Sequence, residues 1–269
     1  MNSLINIVTV LQARTGSSRL PNKIFLPLYE KPLIYRLYER IEQSKLKGTI
    51  VIATTTDKTD DEVEKFCKDY QISCYRGHPF DLLDRHYQAA KYLNAGAVIK
   101  IPSDCPLIDA DIIDKVIKYY LDNLDKFDFV SNLHPPSYPD GNDVEIFSFN
   151  ALEKTWINAK RDYEREHTTP YMWENSEKFR IGNIAWEKGL DYSMSHRFTI
   201  DYEKDYNFIK QVYDELYPLN PKFTLEDILN LLLRKPGLKK INEEYCGVNW
   251  YRNHLNELRT IKADQTKII

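Results

Sequence analysis

Four cations crowd a short polar stretch near the start of the sequence. Arg14, Arg19 and Lys23 lie within LQARTGSSRLPNK, and Lys31 follows just beyond it. Gly16, Ser17 and Ser18 let the backbone bend so that N–H groups can converge. Backbone donors and flexible cations together suit a triphosphate, whose charge shifts as it reacts. The stretch is not a Walker A loop, which needs GxxxxGK followed by Ser or Thr, and it is not the dinucleotide pattern GxGxxG. By spacing alone, a solvated basic loop after a core strand fits equally well.

Acids supply the complementary chemistry. Asp104 closes the run AVIKIPSD and precedes a proline-fixed turn, Cys105-Pro106. A carboxylate there is placed to hold a divalent ion such as Mg2+, which takes carboxylate and phosphate oxygens. An ordinary turn or cap aspartate is the competing reading. Asp201 closes SHRFTID in the same way, and Asp205, inside the next helical stretch, is a weaker competitor. SYPDGNDVEIFSF brings Asp140, Asp143 and Glu145 together around Gly141, which is free to take an unusual backbone angle. Asp143 and Glu145, two residues apart, share a strand face. These three acids could bind a metal, bind hydroxyl or ammonium groups of an acceptor, or form a plain acidic hairpin. In REHTTPY, Thr168 reads as a helix cap. Arg165, His167 and Arg197 are candidates to grip an anionic group on an acceptor, since Arg offers a bidentate fork. A lone His is more often a structural hydrogen-bonder.

These residues need elements to position them. Ile5 to Leu11 reads as a buried strand, and PLIYRLYERIEQSKL (32–46) has helical spacing with Pro32 in its first turn. TIVIATTT (49–56), ISCYRG (72–77) and AVIKIPSD (97–104) read as further strands. Helices are expected from Thr59 as a cap, over 79–96 with Gly96 as the stop, and over 109–125. Four strand–helix alternations in the first 125 residues predict right-handed βαβ units and a parallel sheet. Ligands on such sheets sit at the carboxyl ends of the strands, which singles out loops 12–23, 53–58, 76–85 and 102–109. FDFVSN, NDVEIFSF, KFRIGNIAW and SHRFTID add short strands and a mixed second half. YEKDYNFIKQVYDELY is an amphipathic helix, and residues 219–269 read as a C-terminal helical appendage with Thr224 as N-cap. The division expected is one domain over 1–218, in halves 1–125 and 126–218, followed by the appendage over 219–269.

Composition excludes some partners. A net charge of −3 over 269 residues gives no general attraction to nucleic acid or anionic membrane, so any anion site is local. No apolar run approaches the roughly 18 residues of a membrane span. Cys67, Cys74, Cys105 and Cys246 show no CxxC spacing, and the N-terminus runs into a strand without a cationic leader. A cytoplasmic protein with reduced thiols is expected.

LQARTGSSRLPNK resembles the signature loop of the SpsF-like cytidylyltransferases, relatives of CMP-Kdo synthetase, which reads QAR-x-GS-x-RLPGK; Asn22 stands where that loop has Gly. The resemblance extends through SDCPL, YPDGNDVEIFS, REHTTPY and TID, in the family's order, from residue 5 to about residue 235. It implies an α/β fold of the nucleotide-diphospho-sugar-transferase type, Rossmann-like and mostly parallel. It implies CTP as substrate, Mg2+ held by Asp104 and Asp201, and Arg14, Arg19 and Lys23 neutralising the triphosphate. Leu11, Gln12, Ala13, Gly16, Ser17, Ala53, Thr54 and Ser103 match nucleotide-binding positions. Arg76, Asp84 and Arg85 match the stretch FRG…LDR, although the last two would equally form a helix ion pair. Asp140, Gly141, Asp143, Glu145, Arg165, His167 and Arg197 fall on the acceptor side. The implied product is an activated anionic sugar or small phosphorylated metabolite for surface polysaccharide, made by a homodimer. A sugar-nucleotide-dependent glycosyltransferase, with Asp109 and Asp111 as its D-x-D, and a non-catalytic nucleotide-binding protein are the other readings.

Overall fold

The computed structural model describes residues 5–17 and 19–269; Ser18 of the expected anion loop lies outside them. The chain opens with β1 (Ile7–Gln12), a two-residue hairpin of β2 (Pro27–Leu28) and β3 (Lys31–Pro32), and α1 (Leu33–Glu42). β4 (Thr49–Thr55), α2 (Asp61–Asp69), β5 (Ser73–Gly77), α3 (Leu82–Tyr92), β6 (Ala97–Pro102) and α4 (Ala110–Leu121) continue the alternation. The second half holds β7 (Phe129–Ser131), β8 (Glu145–Ser148), α5 (Phe149–Asn158), α6 (Asp162–His167), α7 (Pro170–Trp173), β9 (Ile181–Asn183), α8 (Glu203–Leu216) and α9 (Leu225–Arg234).

Seven strands form one sheet in the order β5-β4-β1-β6-β8-β7-β9. β5, β4, β1 and β6 run parallel, and β8 is antiparallel to both its neighbours. Alternate residues of each strand enter opposite layers. Ile50, Ile52, Ile99 and Ile101 pack against α1, α4, α8 and α9, whereas Val51, Ala53, Val98 and Phe147 pack against α3, α5 and α7. Burial on both faces is why the parallel strands read as unbroken apolar runs. Strand order reverses beside β1, so a crevice opens where Gln12 pairs with Pro102.

Several local expectations are corrected. SHRFTID forms no strand: its only ladder contact is an isolated bridge between Asp140 and Arg197. Asp57, not Thr59, accepts from the Thr59 amide to open the turn before α2. α3 stops at Tyr92, with Asn94 rather than Gly96 in the left-handed region (φ 52°). Thr168 ends α6 instead of starting a helix. The C-terminal region is α-helical only over α9, where Thr224 caps as expected. After it the chain makes four 3-10 turns, Lys239–Ile241, Glu243–Tyr245, Trp250–Asn253 and Ala263–Gln265. This strap leaves one core layer at Leu238 and enters the other at Tyr251, Leu258 and Ile261.

Candidate active site

The cationic loop is fixed at both ends. Asp60, buried, accepts from the amide (2.7 Å) and hydroxyl (2.8 Å) of Thr15 and from the Thr55 hydroxyl. Asn22 turns the loop back with φ 56°, a left-handed angle that Asn tolerates better than most residues. Its place in the signature, where the family's loop has Gly, is thereby explained.

Lys23 then reaches the two distant acids. Its Nζ lies 2.8 Å from Asp104 Oδ2, 3.3 Å from Asp201 Oδ1 and 2.6 Å from the Ile200 carbonyl. Arg19 Nη2 donates to Asp201 Oδ1 at 2.5 Å, and its guanidinium stands 5.6 Å from the Tyr202 ring. The Ile200 amide donates to the Asp104 carbonyl at 2.9 Å, so the two acid-bearing segments are joined by backbone as well. Burial would pull the Lys23 ammonium down, but Asp104 and Asp201 outweigh it and hold its pKa above the ordinary value. Burial would push Asp201 up, but Lys23, Arg19 and Arg197 bring it down to about 2. A cation already sits among two carboxylates and a carbonyl, an all-oxygen set that fits a hard divalent ion. No cluster of three or more His, Cys, Asp or Glu side chains suits a metal among the described residues. Two carboxylates completed by phosphate oxygens and water is the arrangement Mg2+ commonly takes.

A cavity of about 360 Å³ opens beside this cluster, lined by Gln12, Ser103, Asp104, Asp140, Asp143 and Asp201 among others. Gln12 is oriented: its Oε1 accepts from Arg85 Nε at 2.6 Å, and its amide donates to the Leu82 carbonyl at 2.5 Å. On the far wall, Glu145 pairs with Lys100 and accepts from Thr169 Oγ1 at 2.6 Å. Burial raises Asp143 to about 7, and burial with the Asp143 charge lifts Asp140 well above the carboxylate range. Gly141 has φ +104°, and a Cβ there would lie 2.6 Å from the Phe198 carbonyl, so this turn requires glycine.

Comparison with known proteins shows the family. Residues 8–228 match the family model described as cytidylyltransferase. The chain belongs to the cytidylyltransferase family. A cytidylyltransferase structure from Leptospira borgpetersenii superposes with a TM-score of 0.82 and 34% identity, covering 87% of this chain and 96% of that one. The spore coat polysaccharide biosynthesis protein SpsF of Bacillus subtilis is 28% identical over 236 residues, 86% of this chain and 95% of that protein. The structure of CMP:2-keto-3-deoxy-manno-octonic acid synthetase complexed with CTP shares the fold, with a TM-score of 0.58 and 16% identity, over 78% of this chain and 99% of that one.

Not every residue expected in this cytidylyltransferase site reaches the cavity. Leu11, Ala13, Ala53 and Thr54 are buried and offer only backbone. Arg14 is exposed on the loop, Ser17 Oγ accepts from the Leu20 amide, and a Cβ on Gly16 would meet open space. Arg76 is turned to the sheet edge, where Asp61 and Glu64 each pair with it at 2.7 Å. Asp84 accepts from Trp156 Nε1 (2.8 Å) and Gln88, outside the cavity lining. Arg85 does not pair with Asp84; it is buried behind Gln12, and burial together with Arg14 brings its pKa to about 10. Arg165 is spent on Asp81 at 2.6 Å and on the Trp156 and Ala159 carbonyls. His167 lines the cavity stacked on Trp250 (3.8 Å between centroids), and burial lowers its pKa to about 3, so it carries no charge near neutrality. Arg197 donates to Asp140, Asp201, Asp205 and the Val248 carbonyl, which occupies all five of its N–H groups. Of the three residues expected to grip an acceptor anion, Arg165 is therefore a half-buried tie to the start of α3, His167 a neutral ring and Arg197 a buried brace. Asp109 accepts from the amides of Asp111 (2.8 Å) and Leu225 (2.5 Å), so the D-x-D is a helix cap and not a metal motif.

Proposed function

We propose that this cytidylyltransferase transfers CMP from CTP to an anionic sugar or small phosphorylated metabolite for surface polysaccharide synthesis in the cytoplasm, as a homodimer. The observation that carries the reading is the Lys23 ammonium held between Asp104 and Asp201 at the mouth of the crevice between β1 and β6. An acceptor oxygen attacks the α-phosphorus, the bond to the β-phosphate oxygen breaks, and pyrophosphate leaves. Asp104 and Asp201 would hold Mg2+, which when bound supplies positive charge to the phosphate oxygens. Arg19, whose side chain is 46% exposed, is free to exchange Asp201 for a phosphate, and Arg14 stands exposed on the same loop. Gln12, locked by Arg85 and Leu82, presents a fixed amide at the end of β1. An acceptor attacking through a phosphate or carboxylate oxygen needs no general base. CTP as donor also draws support from the CTP complex of the synthetase that shares the fold. The name of the Bacillus subtilis relative supports the polysaccharide role.

The test pairs each of the four nucleoside triphosphates and Mg2+ with a panel of sugar acids, sugar phosphates and small phosphorylated acids, and reads pyrophosphate. Release with CTP and one anionic acceptor, abolished by chelation, is expected. Pyrophosphate from none of them, or nucleoside diphosphate freed from a sugar nucleotide, overturns the reading. Light scattering reads the mass of the assembly.

A further inference from the structure

The family match ends at residue 228, yet the cavity does not. Residues 247–253 and Gln265, all on the strap that follows α9, complete its wall. The strap is built in rather than draped. Asn242 Nδ2 donates to the Arg197 carbonyl and to Asp205 Oδ1, both at 3.0 Å, and the Val248 carbonyl accepts from Arg197 Nη1 at 2.6 Å. Further along, the carboxylate of buried Glu174 accepts from the amides of Arg259 (2.7 Å) and Thr260 (2.9 Å).

The strap also brings a cation unlike the others in the cavity. Arg19 is paired with Asp201, Lys100 with Glu145, and Arg197 with three aspartates. Arg252 has no carboxylate partner among the described residues. Its Nη2 donates to the Tyr202 hydroxyl at 3.2 Å, and its Nη1 is buried with no partner among the described residues. A buried guanidinium N–H without an acceptor is costly, and an anion is the partner it lacks. Trp250, stacked on His167, forms an adjoining aromatic wall of the kind a sugar ring packs on. Tyr202 sits between the two halves of the site, with Arg252 at its hydroxyl and Arg19 over its ring.

We propose that Arg252, carried by the C-terminal strap, binds the anionic group of the acceptor, a carboxylate or phosphate ester on a sugar-sized molecule; only the word acceptor rests on the cytidylyl-transfer reading. Specificity then resides in a segment beyond the family match, and the charge that Arg165, His167 and Arg197 do not provide comes from the strap. Fixing the strap in advance reduces the ordering cost of binding.

Calorimetry on the full chain tests this with glucuronate, glucose 6-phosphate, uncharged glucose and CTP. Wild type is expected to bind at least one of the two anionic sugars about tenfold or more tighter than glucose, the size of a charge-assisted bond. The two anionic arms separate carboxylate from phosphate. Arg252→Gln is expected to abolish that preference while CTP affinity stays within about twofold. Arg252→Lys, which keeps the charge and loses the fork, is expected to reduce it severalfold and decides the matter should Arg252→Gln fail to fold. No anion preference in wild type, or an unchanged one in either variant, overturns the proposal. Absence of CTP binding by wild type would instead count against the transfer reading and leave the anion measurement standing.

Discussion

Asp201 receives cations from two sides, and the sides differ in what they leave free. From the loop after β1 come Lys23 and Arg19, with side chains 13% and 46% exposed. From the turn before α8 comes Arg197, 1% exposed, with every N–H engaged. The loop cations hold their acids through side-chain contacts at the crevice mouth, and under the proposed transfer they would trade those acids for phosphate. Arg197 ties Asp140, Asp205 and the Val248 carbonyl into one buried knot and has no donor left to trade. The same residue types on the same carboxylate thus stay available to a ligand on one side and serve architecture on the other. What separates them is exposure and spare hydrogen-bonding capacity.

Substituting on each side should break this contrast cleanly. Arg197→Met leaves the fully buried Asp205 without its main partner, and removing one member of a buried ion pair costs about 3–5 kcal/mol. Urea unfolding should register that loss; a midpoint near wild type would mean that the knot is not what holds the turn. On the loop side, Arg19→Ala and Asp104→Asn should each lower pyrophosphate release at least about a hundredfold, the usual effect of removing one transition-state donor. Their unfolding midpoints should barely move, because partly exposed ion pairs contribute about 1 kcal/mol or less. Near-normal turnover in either variant removes that residue from the site. Asp60→Ala tests the loop's anchor. It deletes the bonds from the Thr15 amide and hydroxyl, and weakening of CTP binding by roughly tenfold is expected, in line with hydrogen bonds to a charged group. Because Asp60 positions the loop without lining the cavity, its affinity for the anionic sugars should stay at the wild-type value.

Much of this was readable in the sequence, and the unread part has a physical pattern. The βαβ alternation announced itself because β1, β4 and β6 are buried on both faces. Asp104 was visible as the polar end of such a run, and its pairing with Asp201 came with the family likeness. HRFTID looked like a strand because its residue types alternate. In the fold, Arg197 is drawn inward by Asp140, Asp201 and Asp205, and the segment forms a turn around that knot. Arg165 and Arg76 looked available because their partners, Asp81 and the α2 acids, lie far along the chain or on another element. Asp60 and Tyr202 carried no signal separable from an ordinary turn. The strap was least legible of all. Residues 239–265 have no helical period, and long-range bonds from Asn242, Val248 and Glu174 hold them in place.

The smallest effect expected concerns the cavity wall formed by Asp140 and Asp143, where two buried carboxylates crowd together. Asp143, raised to about 7 by burial, keeps a proton in the folded chain that the unfolded chain, with a pKa of about 3.9, has already released. Between about pH 4 and pH 7 the folded state therefore binds more protons, and stability falls as the pH rises through that window. Asp201 works in the opposite sense at lower pH. Held at about 2 by Lys23, Arg19 and Arg197, it contributes stability above about pH 4 and loses it as the pH drops toward 2. Asp143→Asn should flatten the upper slope and leave the acid limb alone. Partial exposure of the side chain limits the change to about 1–2 kcal/mol between pH 5 and pH 8. Asp140, lifted by burial and by Asp143 itself, should lose part of its own shift in the same variant, because the like charge beside it is gone. Urea titrations at both pH values measure the slope. A variant as pH-sensitive as wild type would assign the proton to Asp140 instead of Asp143.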